Sequence, residues 1–102
     1  MSAELDIIMK GLGNQPGVIG TMVINSCGLP IRTTFKEAES IHYASLVSEF
    51  FRKTRSSVEP LMDGTPIDTI RIRSNKEEII IIPDTKVDAI LIVVQDASEE
   101  AN

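Results

Sequence analysis

A long helical pattern between Ser40 and Glu59 limits what this chain can fold into more than any other feature of the sequence. At 3.6 residues per turn its apolar side chains share an arc of about 160°, whereas packing on one surface needs a stripe of roughly 100°. Pro60 ends the helix because proline lacks an N–H. The N-cap is either Thr34, followed by Glu37 in a capping-box pattern, or Ser40. We expect this helix to contact a sheet with one flank and a second subunit with the other.

The composition is that of one ordinary globular domain. The chain has 102 residues, of which 42% are hydrophobic and 25% charged, and its net charge of −5 argues against nucleic-acid binding. The single cysteine, Cys27, cannot form an internal disulfide, which favours a reducing compartment. No apolar run reaches the roughly 18 residues of a membrane span, and the N-terminus lacks a signal-peptide pattern. We expect a cytoplasmic protein with neither a nucleic-acid nor a membrane partner.

The residues before the long helix predict a short helix and a strand hairpin. Apolar residues recur at helical spacing from Ser2 to Leu12, and Gly13 ends that helix. The segments Val18–Asn25 and Leu29–Thr33 read as two strands joined by a tight turn. The order up to this point is therefore helix, strand, strand and long helix.

Three more strands follow the long helix. Thr69 to Arg73 alternates apolar and basic residues, as a half-exposed or edge strand does. The segments Glu78–Ile82 and Ala89–Val94 have no polar face, so both sides of these strands should be covered, and Pro83-Asp84 should break the first of them. The fold class is α+β. We expect a five-stranded antiparallel sheet with the long helix on one face and the short helix on the other. Residues 1–95 form this domain, and residues 96–102 form a short acidic tail.

The sequence offers little for catalysis. His42, Ser45 and Glu49 line one helix surface without the spacing of a nucleophile, a base and an orienting group. Cys27 lies in a turn without a cationic sequence neighbour, and one His with one Cys cannot build a zinc site. We therefore expect no enzymatic activity, no metal and no cofactor.

Two basic clusters, Arg52–Arg55 and Arg71–Lys76, are the most prominent polar features. Charges on an edge strand prevent unwanted pairing, and this solvated role is the first interpretation. An acidic protein partner and an ion pair between subunits remain the alternatives.

The apolar arc and the half-polar strand together predict a symmetric homodimer. Two copies of the strand Thr69–Arg73 could pair across a two-fold axis and make one sheet of ten strands. The predicted interface residues are Tyr43, Val47, Phe50, Phe51 and Thr54 on the helix, with Ile70, Arg71 and Ile72 on the strand.

Several segments, in order and at matching spacing, resemble the roadblock/LC7 family of dynein light chains. They run from Gly17 to Gln95 and include Val23-Ile24-Asn25, Tyr43-Ala44-Ser45-Leu46, Ile70-Arg71-Ile72-Arg73-Ser74 and Leu91-Ile92-Val93-Val94-Gln95. The resemblance implies a profilin-like fold and a non-catalytic light chain of the dynein motor. It further implies a cytoplasmic, cytoskeleton-associated homodimer that binds an intermediate-chain segment and supports motor assembly and cargo attachment in microtubule-based transport. A paralogous light chain is a second candidate for the dimer partner.

The same resemblance leaves a second function open, because roadblock-like domains also resemble scaffolds and activators of small GTPases. Under the dynein interpretation, an amphipathic helix of the intermediate chain would dock on the sheet face that the long helix leaves open. The residues predicted for that contact are Leu5, Ile7, Ile8, Ile80, Ile82, Ile90 and Ile92.

Overall fold

The computed structural model describes residues 3–84 and 86–97, with the backbone alone for residues 3–5. The elements in chain order are α1 (Ala3–Gly13), β1 (Val18–Ile24), β2 (Pro30–Thr33), α2 (Glu37–Val58), a 3₁₀ turn (Glu59–Met62), β3 (Ile70–Arg73), β4 (Glu77–Asp84) and β5 (Ala89–Asp96). The five strands form one antiparallel sheet in the order β2-β1-β5-β4-β3. The predicted fold class and element order are confirmed.

The start of α2 differs from both predicted caps. The helix begins at Glu37, and no side chain caps it. The Thr34 hydroxyl instead accepts the N–H of Thr21 at 2.9 Å, and the Ser40 hydroxyl lies 2.8 Å from that of Thr33. Both hydroxyls are therefore used to join the helix entry to the β1–β2 hairpin, so neither is free to cap the helix.

One face of the sheet packs against α2 and holds the main core. The register pairs Met22 of β1 with Ile92 of β5, and Ile92 with Ile81 of β4, so these three side chains point the same way. They are fully buried beneath Ala44, Val47 and Phe51 of α2, with Ile24, Ile90 and Val94 completing the cluster. Burial of this apolar surface is the principal driving force for the fold.

The short helix α1 covers the opposite face of the sheet, where β1 and β2 lie. Arg32 of β2 pairs with Val23, which is fully buried and faces away from the main core. The guanidinium of Arg32 lies 2.8 Å from the carboxylate of Asp6 in α1, and α1 contacts β1. The short helix is therefore on the second face, as predicted.

Strand β4 departs from its prediction in two ways. Only Ile81 of the four consecutive isoleucines is fully buried, while Ile82 on the second face is 37% exposed. The strand also continues through Pro83 to Asp84, which pairs with Ala89. Proline is tolerated here because β3 pairs no further along β4 than Ile81, so β4 has a neighbouring strand on one side only at Pro83.

The C-terminal boundary lies close to the predicted one. Strand β5 includes Asp96, and the N–H of the buried Ala97 donates to the carbonyl of Lys76 at 3.0 Å. Residues 98–102 of the predicted tail lie outside the described residues.

Gly20 provides a test of the packing between the helix entry and the sheet. A Cβ added at Gly20 would overlap the ring of Phe35, which itself packs on Tyr43 with 5.1 Å between ring centroids. We expect Gly20→Ala to lower the free energy of unfolding by about 1–3 kcal/mol through overpacking. Urea denaturation measures the change. Gly11→Ala is the matched control, because that position is open and helical, and should stabilise slightly.

Candidate functional site

Strand β3 is an open edge of the sheet. It pairs with β4 alone, and no strand lies beyond it among the residues that the structure describes. Ile70 pairs with Ile81 and Ile72 with Ile79, which places both β3 isoleucines on the α2 face. Ile72 is 40% exposed. An edge strand with an exposed apolar side chain can pair with another strand.

The apolar arc of α2 divides into two halves. Ala44, Val47 and Phe51 are buried against the sheet, whereas Leu46 and Phe50 remain 54% and 41% exposed. The contacts of Ser48 show how α2 is rotated on the sheet. Ser48 lies on the opposite side of the buried half from Leu46 and Phe50, and it contacts Gly28 in the β1–β2 turn. Leu46 and Phe50 must therefore face across the sheet towards β3. We call Leu46, Phe50, Ile72 and the outer edge of β3 the edge face.

Tyr43 and Thr54, two predicted interface residues, border the edge face and are half-buried. Burial, followed by the negative charges of Glu77 and Glu39, raises the pKa of the Tyr43 hydroxyl, which therefore stays protonated. The Thr54 hydroxyl donates to the carbonyl of Phe50 at 2.8 Å. Both side chains can line a contact made by Phe50.

Three predicted interface residues do not reach the edge face. Val47 and Phe51 point into the core of their own subunit, and the guanidinium of Arg55 lies 5.7 Å from the centre of the Phe51 ring. Arg71 lies on the opposite sheet face, because strand side chains alternate and Ile70 and Ile72 take the α2 side. This corrects the prediction for their side chains, although the backbone of Arg71 remains part of the edge.

Arg71 instead belongs to a polar network that joins three strands. Its guanidinium donates two hydrogen bonds of 2.9 Å to the buried carboxylate of Glu78 in β4. The side-chain amide of Gln95 in β5 donates a third, at 2.7 Å. Bidentate Arg–carboxylate pairs are among the strongest polar contacts. The network therefore fixes the edge strand β3 on the sheet.

Acid should weaken this network. The hydrogen bonds from Arg71 and then from Gln95 lower the pKa of Glu78 from 4.5 to about 2. A carboxyl with a lowered folded-state pKa contributes stability above its unfolded pKa and loses it as the pH falls towards the folded value. Unfolding free energies measured at pH 7 and pH 3 should therefore differ less in Glu78→Gln than in the parent. The neighbouring exposed Glu77→Gln should leave the difference unchanged, and an equal response of both variants would contradict the assignment.

The second sheet face carries part of the other predicted contact. Ile8 of α1 is 47% exposed, and on β4 Ile80 is half-buried and Ile82 is exposed. Ile7 is also exposed but lies about 160° around α1 from the buried Met9, so it points away from the sheet. The side chain of Leu5 lies outside the described residues.

Ile90 and Ile92 were assigned to that second face, and the structure corrects this. The register of β5 places both on the α2 face, where they are buried. Leu91 and Val93 occupy the second face in their place, opposite Ile82 and Ile80. A strand that is apolar on both faces does not reveal which of its alternating residues faces which side.

The residues considered for catalysis are not assembled into a site. Ser45 donates its hydroxyl to the carbonyl of His42, at 3.2 Å, and Cys27 lies exposed in the β1–β2 turn. Among the described residues, no three metal-ligating side chains converge. Within the same part of the chain, no helix has the length and apolar character to cross a membrane.

The fold is similar to solved bacterial structures. A Roadblock/LC7 domain from Streptomyces avermitilis superposes with a TM-score of 0.80 at 18% identity, covering 91% of this chain and 78% of that one. MglB from Myxococcus xanthus gives 0.78 at 11% identity, covering 92% and 76%. A structure described as MglB with a tetrameric arrangement gives 0.79 at 12%, covering 96% and 76%.

These similarities correct the predicted function. The expectation of a dynein light chain that binds an intermediate chain and serves microtubule transport is wrong, and association with the cytoskeleton is not supported. The similar structures are bacterial Roadblock/LC7 and MglB proteins.

The sequence itself matches a family at nearly full length. The model of the Roadblock/LC7 domain covers residues 4–96, from α1 to the last residue of β5. It includes both helices and all five strands, so the match extends over the complete fold. The chain belongs to the Roadblock/LC7 domain family.

Proposed function

We propose that the protein is a non-catalytic homodimeric scaffold that binds and regulates a small GTPase. The observation that carries this proposal is the edge face, where Leu46, Phe50 and Ile72 are exposed beside the edge strand of the sheet. Exposed apolar side chains next to an edge strand are features of a surface that another chain covers.

A two-fold axis at β3 is the simplest way to cover the edge face. Two β3 strands would pair, the two sheets would become one of ten strands, and each Phe50 would meet the α2 helix of the other subunit. An isologous contact of this kind uses the same patch twice and closes without leaving free edges at its centre. A second Roadblock/LC7 chain could take the place of the second copy.

The dimer would present a platform for the GTPase. Each α2 has 22 residues and is therefore about 33 Å long, comparable with the diameter of a small domain. Its outward side carries mixed charges, including Lys53 and Glu49, whose charged groups lie 3.5 Å apart. Two such helices side by side would offer a polar surface large enough for a standard protein interface.

The comparison with known proteins supports the class of partner. Roadblock-like domains include scaffolds and activators of small GTPases, and two of the similar structures are MglB proteins, one of them described as tetrameric. Self-association and binding to other proteins are therefore the expected properties of this chain. The proposed role requires no cofactor and no metal.

The test is a binding and turnover assay with a Ras-like small GTPase from the same organism. The protein should bind the GTPase in one nucleotide state, GDP or GTP, at least about tenfold more tightly than in the other, and change its rate of GTP hydrolysis. The protein alone should hydrolyse no GTP. Phe50→Glu should abolish the effect, while Ile7→Glu, on the outer side of α1, should preserve it. Equal binding to both states, or an effect that survives Phe50→Glu, would contradict the proposal.

A further inference from the structure

A groove on the far flank of α2 is not explained by the dimer or by the platform. Two adjoining cavities of about 430 and 390 Å³ share the residues Ser26, Phe51, Arg55 and Ile90. Together they form one continuous depression where the C-terminal half of α2 meets the β1–β2 and β4–β5 turns. We call it the turn groove.

The turn groove has a fixed floor and a fixed rim. Phe51 and Ile90 form the floor, and both belong to the buried core. The N–H of Ser26 in the β1–β2 turn donates to the carboxylate of Asp88 in the β4–β5 turn at 2.9 Å. This bond connects the two turns directly, so the groove is shaped before any ligand arrives.

The two walls of the turn groove differ in charge. Arg52, Arg55 and Glu59 line the α2 side, where two cations outnumber one anion, and Asp88 of the β4–β5 turn lines the opposite side. Arg55 lies 3.5 Å from Glu59, whereas Arg52 makes no hydrogen bond or ion pair with any described residue. An arginine without a counter-charge beside an apolar floor can accept a carboxylate in bidentate geometry.

The shape of the turn groove decides between a small molecule and a polypeptide. Pockets for small ligands bury 70–90% or more of the ligand surface, whereas this groove is only partly enclosed. We propose that the turn groove binds a short segment of a partner polypeptide. In that segment an apolar side chain rests on Phe51 and Ile90. It is flanked by an acidic side chain bound to Arg52 and Arg55 and a basic side chain that faces Asp88.

The turn groove remains accessible in the proposed dimer. Its α2 residues, Ser48, Arg52 and Ser56, follow each other at intervals of four and form one column on the helix. Leu46 and Phe50 lie on the other side of the buried half of the same helix. Each dimer would therefore carry two equivalent grooves, one at each end, and could hold two copies of the segment.

A selection from a phage-displayed library of random 12-residue peptides on the full-length protein tests this proposal. Enriched peptides should carry an acidic and a basic residue on the two sides of an apolar one. Their addition to labelled protein should shift the backbone amides of Ser26, Arg52 and Val87. Arg52→Gln should weaken the best peptide about tenfold or more, through the loss of a charge-assisted contact. The matched control Lys53→Gln removes the same charge one residue outside the groove and should change affinity by less than about twofold.

Three outcomes would overturn the proposal. One is the enrichment of the same peptides on an Arg52→Glu, Arg55→Glu variant that keeps the parent's circular dichroism. Another is amide shifts confined to the edge face. The third is saturation of the same amides by inorganic phosphate without any peptide enrichment, which would identify an anion site instead. The selection needs no GTPase, so its failure is separate from the failure of the proposed function.

Discussion

Phe50→Glu will convert the proposed dimer into a monomer at low micromolar concentration. Phe50 is 41% exposed in the single subunit and lies on the edge face, where two-fold symmetry would bury both copies. An unpaired carboxylate in a buried contact costs several kcal/mol, and symmetry introduces two of them. We expect the dissociation constant of the dimer to rise by about a thousandfold or more, equivalent to about 4 kcal/mol. Sedimentation velocity should give twice the chain mass of 11.2 kDa for the parent and 11.2 kDa for the variant.

The control for this variant lies on the same helix. Ile41 is 57% exposed on the other side of the buried half of α2, so Ile41→Glu introduces the same charge outside the edge face. It should leave the dimer intact. Circular dichroism should show that both variants fold. If the dimer survives Phe50→Glu but dissociates in Ile41→Glu, the contact lies on the Ile41 flank of α2 and the proposed interface is contradicted.

Ile81→Ala will have the largest effect on stability. Ile81 of β4 is fully buried beneath α2. Truncating a buried isoleucine to alanine lowers the free energy of unfolding by about 2–5 kcal/mol. For a domain of this size the loss is a large part of the total stability. Chemical denaturation of the parent and the variant, with unchanged slopes, measures it.

The neighbouring residue supplies the comparison. Ile82 differs from Ile81 only in the sheet face on which it lies, and it is 37% exposed on the second face. We expect Ile82→Ala to cost less than about 1 kcal/mol, because much less apolar surface leaves the core. Similar losses at the two positions would mean that the register of β4 is shifted or that the second face is covered by a partner.

The four consecutive isoleucines also show where prediction from sequence ends. The pattern located β4, since an uninterrupted apolar run of this length favours a buried strand. It could not assign alternate residues to the two sheet faces. Both the residues that face α2 and those that face away are isoleucine, so polarity does not distinguish them. The same ambiguity in β5 led to Ile90 and Ile92 being placed on the second face.

The long helix was predictable in its type but less so in its orientation. The width of its apolar arc indicated two contacts, and the structure shows a buried half and an exposed half. The sequence could not tell which half faces the subunit's own sheet, so Val47 and Phe51 were placed in the interface. The exposed Leu46 was part of the same arc, but it was missed. The rotation of α2 about its own axis is set by contacts such as that between Ser48 and Gly28, which are far apart in sequence.

Function was harder to predict than fold. The resemblance of several segments between Gly17 and Gln95 indicated the Roadblock/LC7 domain, which the family match confirms over residues 4–96. The choice of a dynein partner depended on resemblance alone, and one fold can serve unrelated partners. The part of the site that could be derived physically was the exposed apolar flank beside an edge strand. The turn groove depends on the meeting of two turns and a helix, for which no local pattern exists.

Cysteine cross-linking along β3 tests the proposed dimer most directly. In a Cys27→Ser background, single cysteines at positions 70 to 73 are oxidised and the products separated without reductant. Because antiparallel β3 strands would pair across the two-fold axis, at least one of these positions should cross-link to its own copy and give a covalent dimer. Ile31→Cys, on β2 at the opposite edge of the sheet, should give only monomer. Monomer at every β3 position, with a covalent dimer through Ile31→Cys, would contradict the account.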